Sequence, residues 1–234
     1  RVRSRSWTDP IFGRDNMIYS RRLLIDDCSE EELRTAAEHI KTGALVVLAT
    51  DTVYGIGCSA FLQAAVTRVF EVKRRASSKQ LPVFVAGFKE ISSIIPSALH
   101  EEVQRLAAAF WPGALTIVTD VMQKTLYTQP RPFGPAESIG FRVPDSPGLL
   151  RLLSHGVILA QTSLNESGEP VIDDLTSSRA KEFLEHADLV LDSNRRSLGH
   201  PSTVIRVDAT GYTILREGSI SEEAIRAVLP WEST

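Results

Sequence analysis

The run Ala44-Leu45-Val46-Val47-Leu48-Ala49 contains no polar side chain, and nothing else restricts so sharply what this chain can fold into. A stretch this short, apolar and partly β-branched reads as a buried strand. An amphipathic helix precedes it: Ser29 and Glu32 have capping-box spacing, Leu33, Ala36, Ala37 and Ile40 share one face, and Gly43 supplies the stop. A second amphipathic helix follows, carrying Leu62, Val66, Val69 and Phe70. Helix, buried strand, helix is the opening of an α/β arrangement.

The rest of the chain keeps to that pattern. Strands are predicted at Leu23–Ile25, Pro82–Ala86, Leu115–Thr119, Ile139–Val143, Val157–Ala160, Leu189–Leu191, Thr203–Val207 and Tyr212–Leu215, with helices around 98–110, 146–154, 176–185 and 222–229. Their alternation predicts the α/β class, with a mixed sheet and helices packed against it. The last two strands, separated by Asp208-Ala209-Thr210-Gly211, read as an antiparallel hairpin. Residues 1–20 lack any period and read as an N-terminal tail, leaving 21–234 as one domain. The loop Gln123–Glu137 is proline-rich and long, and is expected to be a mobile flap.

Composition excludes several functions. No apolar run approaches the length of a membrane span, so no membrane role is expected. A formal net charge of −3 offers no global basic field for nucleic acid. The 5 histidines show no metal-ligand spacing, which argues against a zinc enzyme. Two cysteines, Cys28 and Cys58, form no CxxC pair and suit a reducing compartment. A cytoplasmic setting is therefore expected, or an organellar one if a targeting peptide ahead of Arg1 has been removed.

Several polar groups collect where strands should end. The buried run leads into Thr50-Asp51-Thr52-Val53-Tyr54-Gly55-Ile56-Gly57, where hydroxyls, a carboxylate, a phenol and glycines could hold a small ligand. Lys73, Arg75 and Lys79 form the densest cationic cluster; they are either a solvated helix end or donors to a polyphosphate. Ser163 and Asn165 stand two apart after an apolar strand, where they either build a turn or face one ligand. Arg142, in the otherwise apolar Ile139-Gly140-Phe141-Arg142-Val143-Pro144, needs an anionic ligand or a buried ion pair. Trp111-Pro112-Gly113 reads as a structural turn, and Ser202 and Arg216 are further polar groups at strand ends. Gly55-Ile56-Gly57-Cys58-Ser59-Ala60 matches GxGxxA, but its first glycine falls well past the strand and no ribose-binding acid follows. There is no P-loop motif either.

Together these stretches resemble the YrdC/Sua5 family, the threonylcarbamoyl-adenylate synthases of tRNA modification. The resemblance rests on Thr50-Asp51-Thr52-Val53-Tyr54-Gly55, Lys73-Arg74-Arg75, Phe110-Trp111-Pro112-Gly113-Ala114-Leu115-Thr116, Gly140-Phe141-Arg142-Val143-Pro144, Ser163-Leu164-Asn165, Ser202-Thr203-Val204 and Ile214-Leu215-Arg216, in family order over about residues 22–229. The family's KxR and SxN pairs are intact. There are departures: Ala49 and Gln80 stand where proline is usual, Phe84 where histidine is common, Gln161-Thr162 where proline or threonine is usual, and Asp173 where a hydroxyl often binds phosphate. The pattern resembles the short, single-domain form, so no further C-terminal Sua5 domain is expected.

The resemblance implies an open, twisted YrdC-like sheet with a concave ligand cavity. It implies a nucleotidyltransferase making threonylcarbamoyl-AMP and pyrophosphate from L-threonine, bicarbonate and ATP, with Mg²⁺. The product would pass to a tRNA threonylcarbamoyl transferase complex, with room for a weak direct tRNA contact. By position, Thr52, Arg142, Ser163 and Ser202 would hold threonine, Arg142 taking its carboxylate. Arg75, Lys79, Ser138, Asn165 and Arg216 would hold ATP. Lys73 and Arg75 would be catalytic, stabilising charge built at the α-phosphate. A relative that binds RNA or nucleotide without synthase activity is the alternative.

Overall fold

A computed structural model describes residues 21–122, 126–129, 137–166, 168–195 and 198–230. The predicted tail at 1–20 lies outside the described residues, as do positions 123–125 and 130–136 of the predicted flap. Strands β1 (Arg21–Leu24), β2 (Val46–Leu48), β3 (Gly55–Ser59), β4 (Val83–Phe84), β5 (Leu115–Asp120), β6 (Ser138–Arg142), β7 (Leu159–Ser163), β8 (Leu189–Asp192), β9 (Thr203–Asp208) and β10 (Gly211–Arg216) form one sheet. Its order is β1-β8-β2-β3-β7-β4-β6-β5-β9-β10, with β1 and β10 unpaired to each other, so it is open. Parallel pairs (β1 with β8, β8 with β2, β4 with β6, β5 with β9) mix with antiparallel ones. The helices are α1 (Glu30–Lys41), α2 (Gln63–Val72), α3 (Lys89–Ser92), α4 (His100–Phe110), α5 (Pro147–Ser154), α6 (Ser178–His186) and α7 (Glu222–Val228).

Strand β2 shows how the two faces are filled. Val47 packs into a core with Ile56, Val66 and Val69 of α2, Val103 and Leu106 of α4, Phe183 of α6 and Ile225 of α7. Val46 and Leu48 point the other way, among Leu33 and Ile40 of α1 and Leu149 and Leu152 of α5. Each such side chain contributes roughly 1.5–3 kcal/mol of burial, so the apolar run holds helices on both sides at once. The start of α1 is as its residues predict: Glu32 N donates to Ser29 Oγ at 3.3 Å and Ser29 N to Glu32 Oε2 at 2.8 Å. Both cysteines are buried free thiols, and burial pushes Cys28 up to about 11 and Cys58 to about 12.

Three expectations change. Gly55-Ile56-Gly57, expected in a ligand-holding loop, opens β3, which pairs with β2 on one side and β7 on the other. The glycines are needed by the sheet itself: a Cβ on Gly57 would lie 2.7 Å from the Ala160 carbonyl. A strand at this place also removes the dinucleotide reading of GxGxxA, which needs a turn into a helix. Strand β7 begins later than the predicted Val157–Ala160 and runs on to Ser163, so Ser163 ends a strand rather than standing in the turn after it. Finally, the part of the expected flap at 126–129 is pinned: Tyr127 N donates to Ala60 O at 2.7 Å, and Leu81 N to Thr128 O at 2.8 Å, with Leu126 and Thr128 buried.

Candidate active site

Alternation along the middle strands builds a face of polar side chains and glycine. On β6, Ile139 and Phe141 enter the helix-covered core with Val103, so Ser138, Gly140 and Arg142 turn to the opposite face. On β7 Ala160 is in that core, sending Gln161 and Ser163 to the other side; on β5 the same holds for Leu115 and Ile117 against Thr116. Among the described residues, the core on this side, under α1 and α5, takes in β1, β8, β2, the start of β7 and Phe84 at the end of β4. The middle of the sheet therefore presents polar groups instead of a second core.

Arg142 is the centre of one cluster and is 3% exposed. Its Nε donates to the Gly113 carbonyl at 2.8 Å and its Nη1 to Thr52 Oγ1 at 2.9 Å, while Nη2 meets Asp51 Oδ1 at 2.6 Å and Oδ2 at 2.7 Å. The guanidinium lies over the Phe84 ring, 5.4 Å from its centroid. Burial lowers the Arg142 pKa and the Asp51 carboxylate opposes that. Of the two accounts the sequence leaves open for Arg142, the ion pair is present, and its partner is the acid of the Thr-Asp-Thr motif.

Local structure holds each partner. Thr50 Oγ1 accepts from Thr52 N and Val53 N, both at 3.1 Å, and donates to Val53 O at 2.6 Å, folding the loop on itself. Tyr54 Oη donates to Asp192 Oδ1 at 2.7 Å, tying the loop to β8, and burial with that carboxylate pushes the phenol up. Gly113 is placed by the expected turn, in which Trp111-Pro112 is cis and Trp111 Nε1 donates to Leu115 O at 2.7 Å. A cavity of about 400 Å³ opens beside Asp51, lined in part by Thr50, Gly113, Asp145, Ser146 and Arg195.

Ser202 and Arg216 join from the far strands. Ser202 Oγ is 2.9 Å from Thr116 Oγ1, and Arg216 Nη2 donates to the Ser202 carbonyl at 2.7 Å and to its Oγ at 3.2 Å. Arg216 is close enough to lower the Arg142 pKa further. Close backbone packing sets this corner: a Cβ on Gly218 would sit 2.5 Å from Pro201 O, Ser202 C and Thr203 N. Gly218→Ala is expected to push the Ser202 backbone aside, with a destabilisation of about 2–4 kcal/mol. Urea unfolding measures it; a change within about 0.5 kcal/mol would show that the corner yields without cost.

Lys73 lies on the other side of the sheet, at the C-cap of α2, and is 1% exposed. Its Nζ donates to the Ser163 carbonyl, and at 3.3 Å to both Thr162 Oγ1 and Asn165 Oδ1. No carboxylate pairs with it among the described residues, and burial, helped by Arg75, pushes its pKa down to about 7. Ser163 Oγ donates to Asn165 Oδ1 at 2.6 Å, and Asn165 Nδ2 to Glu169 O at 2.6 Å, so the serine–asparagine turn is closed around the lysine. Arg75 is half-buried and ties down its own loop, donating to Gln80 O at 2.8 Å and Lys79 O at 3.2 Å. Lys79 is exposed on that loop, and Ser138 stands half-buried at the start of β6.

Most of the expected residues thus fall into two groups, with Arg75, Lys79 and Ser138 in neither. Thr52, Arg142, Ser202 and Arg216 share one corner, built from two neighbouring hydrogen-bonded sets, Arg142 with Thr52, Asp51 and Gly113, and Arg216 with Ser202 and Thr116; the sequence assigns no substrate contact to Asp51, Gly113 or Thr116 individually. Lys73, Ser163 and Asn165 form the second. Asp51 is flanked by motif threonines, so a signal for it was available. Thr116 closes the Phe110–Thr116 stretch that carries the resemblance, so it too is signalled, though without a contact.

The Sua5/YciO/YrdC family model, described as telomere recombination, matches residues 38–218. A threonylcarbamoyl-AMP synthase of Pyrococcus abyssi is 31% identical over 206 residues, 86% of this chain and 58% of the relative. A putative threonylcarbamoyl-AMP synthase of Mycobacterium tuberculosis is 35% identical over 211 residues, 87% of this chain and 94% of the relative. The chain thus spans little more than half the length of the first of these and nearly all of the second. The crystal structure of P. abyssi Sua5 complexed with L-threonine superposes with a TM-score of 0.76 at 30% identity, covering 93% of this chain and 62% of that one.

Proposed function

The chain belongs to the Sua5/YciO/YrdC family, and from that premise we propose that it is an L-threonylcarbamoyladenylate synthase, a nucleotidyltransferase acting on L-threonine, bicarbonate and ATP. The observation that carries this reading is that two hydrogen-bonded sets, Arg142 with Thr52 and Arg216 with Ser202, lie close enough on a polar sheet face for the two guanidinium groups to feel each other's charge. Two guanidinium groups and several hydroxyls in so small a volume suit a ligand with a carboxylate, a hydroxyl and phosphates. A Sua5 relative holding L-threonine supports it further.

In this reading Arg142 receives the threonine carboxylate, which must share the guanidinium with Asp51 or displace it. Ser163 and Ser202 supply hydroxyls to the amino acid. Arg75, Lys79, Ser138, Asn165 and Arg216 hold ATP, and the threonine carbamate attacks the α-phosphate as pyrophosphate leaves. Cationic donors aimed at that phosphate stabilise the charge that builds there. Lys73 acts from beneath, through the Ser163–Asn165 turn it anchors. Among the described residues no group of three or more His, Cys, Asp or Glu could hold a metal ion. In this reading Mg²⁺ would be carried in on the ATP phosphates, whose charge it would neutralise.

The product, a mixed anhydride with AMP, would be handed to a tRNA threonylcarbamoyl transferase complex. A weak direct tRNA contact and a cytoplasmic setting belong to the same proposal; no described helix is long and apolar enough to cross a membrane. Pyrophosphate release from ATP tests the function. Release is expected to need threonine and bicarbonate together, because the attacking group is a carbamate. ATP turned over equally well without bicarbonate would sink the reading.

A further inference from the structure

We propose that the side-chain amide of Gln161 is a substrate-reading group in the floor of this site, making a hydrogen bond to the bound amino acid. Gln161 is a departure from the family pattern, and the structure gives it an unusual setting. It lies on β7 opposite Gly57 of β3, and the residue is 8% exposed. Its side chain extends over the two β3 glycines. A Cβ on Gly57 would fall 2.8 Å from Gln161 Cβ, and one on Gly55 would fall 2.7 Å from Gln161 Oε1. The missing side chains at 55 and 57 are the space in which the glutamine lies.

No hydrogen-bond partner meets that amide among the described residues, and it is not sealed from solvent either. A largely buried amide that the protein leaves unpaired is costly unless water or a ligand satisfies it. Its position says which ligand. Ser163 is two residues along β7 on the same face, about 7 Å away by strand geometry. Leu159, two residues back on that face, is in register with Phe84, which is in register with Arg142. Gln161 therefore stands between Ser163 and the strand level of Arg142, the groups assigned to the amino acid under the proposed function, on which this inference rests. One amide offers both a donor and an acceptor, so it can read the carbamoyl, carboxylate or hydroxyl oxygens of threonine.

The test is calorimetric titration of L-threonine and, separately, ATP into the wild type, Gln161→Met and Gln161→Ala, with melting temperatures alongside. Methionine keeps the length and shape and removes only the amide. The threonine Kd is expected to rise about three- to tenfold in both variants, with the ATP Kd held within about twofold. The melting temperature of Gln161→Met should stay level or rise, because an unpaired buried amide is gone. If Gln161→Met binds threonine as tightly as the wild type, the proposal is overturned while the synthase reading stands. If both ligands weaken together and the melting temperature falls, the role is structural and the proposal fails. A wild type that binds no threonine overturns both.

Discussion

Arg142→Ala is expected to lower folding stability by about 3–5 kcal/mol and to abolish threonine binding. The stability loss arises because the Asp51 carboxylate, 9% exposed, would be stranded without the two contacts it receives from Nη2. The Gly113 carbonyl and the Thr52 hydroxyl would lose their donor as well. Removing one member of a buried pair costs far more than the pair contributes on balance, since the remaining charge keeps its desolvation penalty. Arg142→Lys keeps the charge but lacks the fork. It should therefore show a smaller stability loss together with a threonine KM raised well beyond that for ATP. The double substitution Asp51→Asn with Arg142→Ala should recover part of the loss, because no charge is then stranded. Urea unfolding of the three variants gives the coupling. A loss below about 1 kcal/mol for Arg142→Ala would mean the ion pair contributes as little as a surface pair.

Lys73→Met is expected to change how stability depends on pH and, by misplacing the groups its turn carries, to reduce turnover by about 100-fold. Burial holds the Lys73 ammonium near 7 in the folded protein against an ordinary 10.5. Between those values the unfolded chain binds the proton and the folded one does not, so wild-type stability rises with pH across that window. The penalty is greatest at and below pH 7 and is gone above about 10.5. Methionine titrates nowhere, so its stability relative to wild type should improve as pH falls from 10 towards 7, by up to about 1.4 kcal/mol per pH unit. The substitution also takes one donor from Thr162 Oγ1, the Ser163 carbonyl and Asn165 Oδ1, the last two keeping Asn165 N at 3.1 Å and Ser163 Oγ at 2.6 Å, a constant cost of about 1–3 kcal/mol in all. That constant drops out of the slope. Urea unfolding at pH 7, 8 and 9 decides it: parallel curves for the two proteins would show that Lys73 is not depressed. The turnover loss should follow from a loosened Ser163–Asn165 turn and appear in the threonine and ATP KM values as well as in kcat, since Ser163 and Asn165 are assigned to those ligands.

The elements legible before folding are those governed by neighbours a few residues apart. The Ser29–Glu32 box, the apolar stripes of α1 and α2, the buried β2 and the β9–β10 hairpin all rest on local capping, periodicity and turn chemistry. The polar residues of the site were visible for the same reason, as charges and hydroxyls interrupting apolar strands. Tertiary structure alone decided the rest. Gly55-Ile56-Gly57-Cys58-Ser59 has little strand character of its own and becomes β3 because β2 and β7 supply its hydrogen bonds. Asp51 could have faced water, and Lys73 could have been a solvated helix end. Instead one is paired with Arg142 and the other is buried against the end of β7. A charge's partner and its burial depend on which distant strands are brought beside it, and that pairing is set by the packing of the whole sheet.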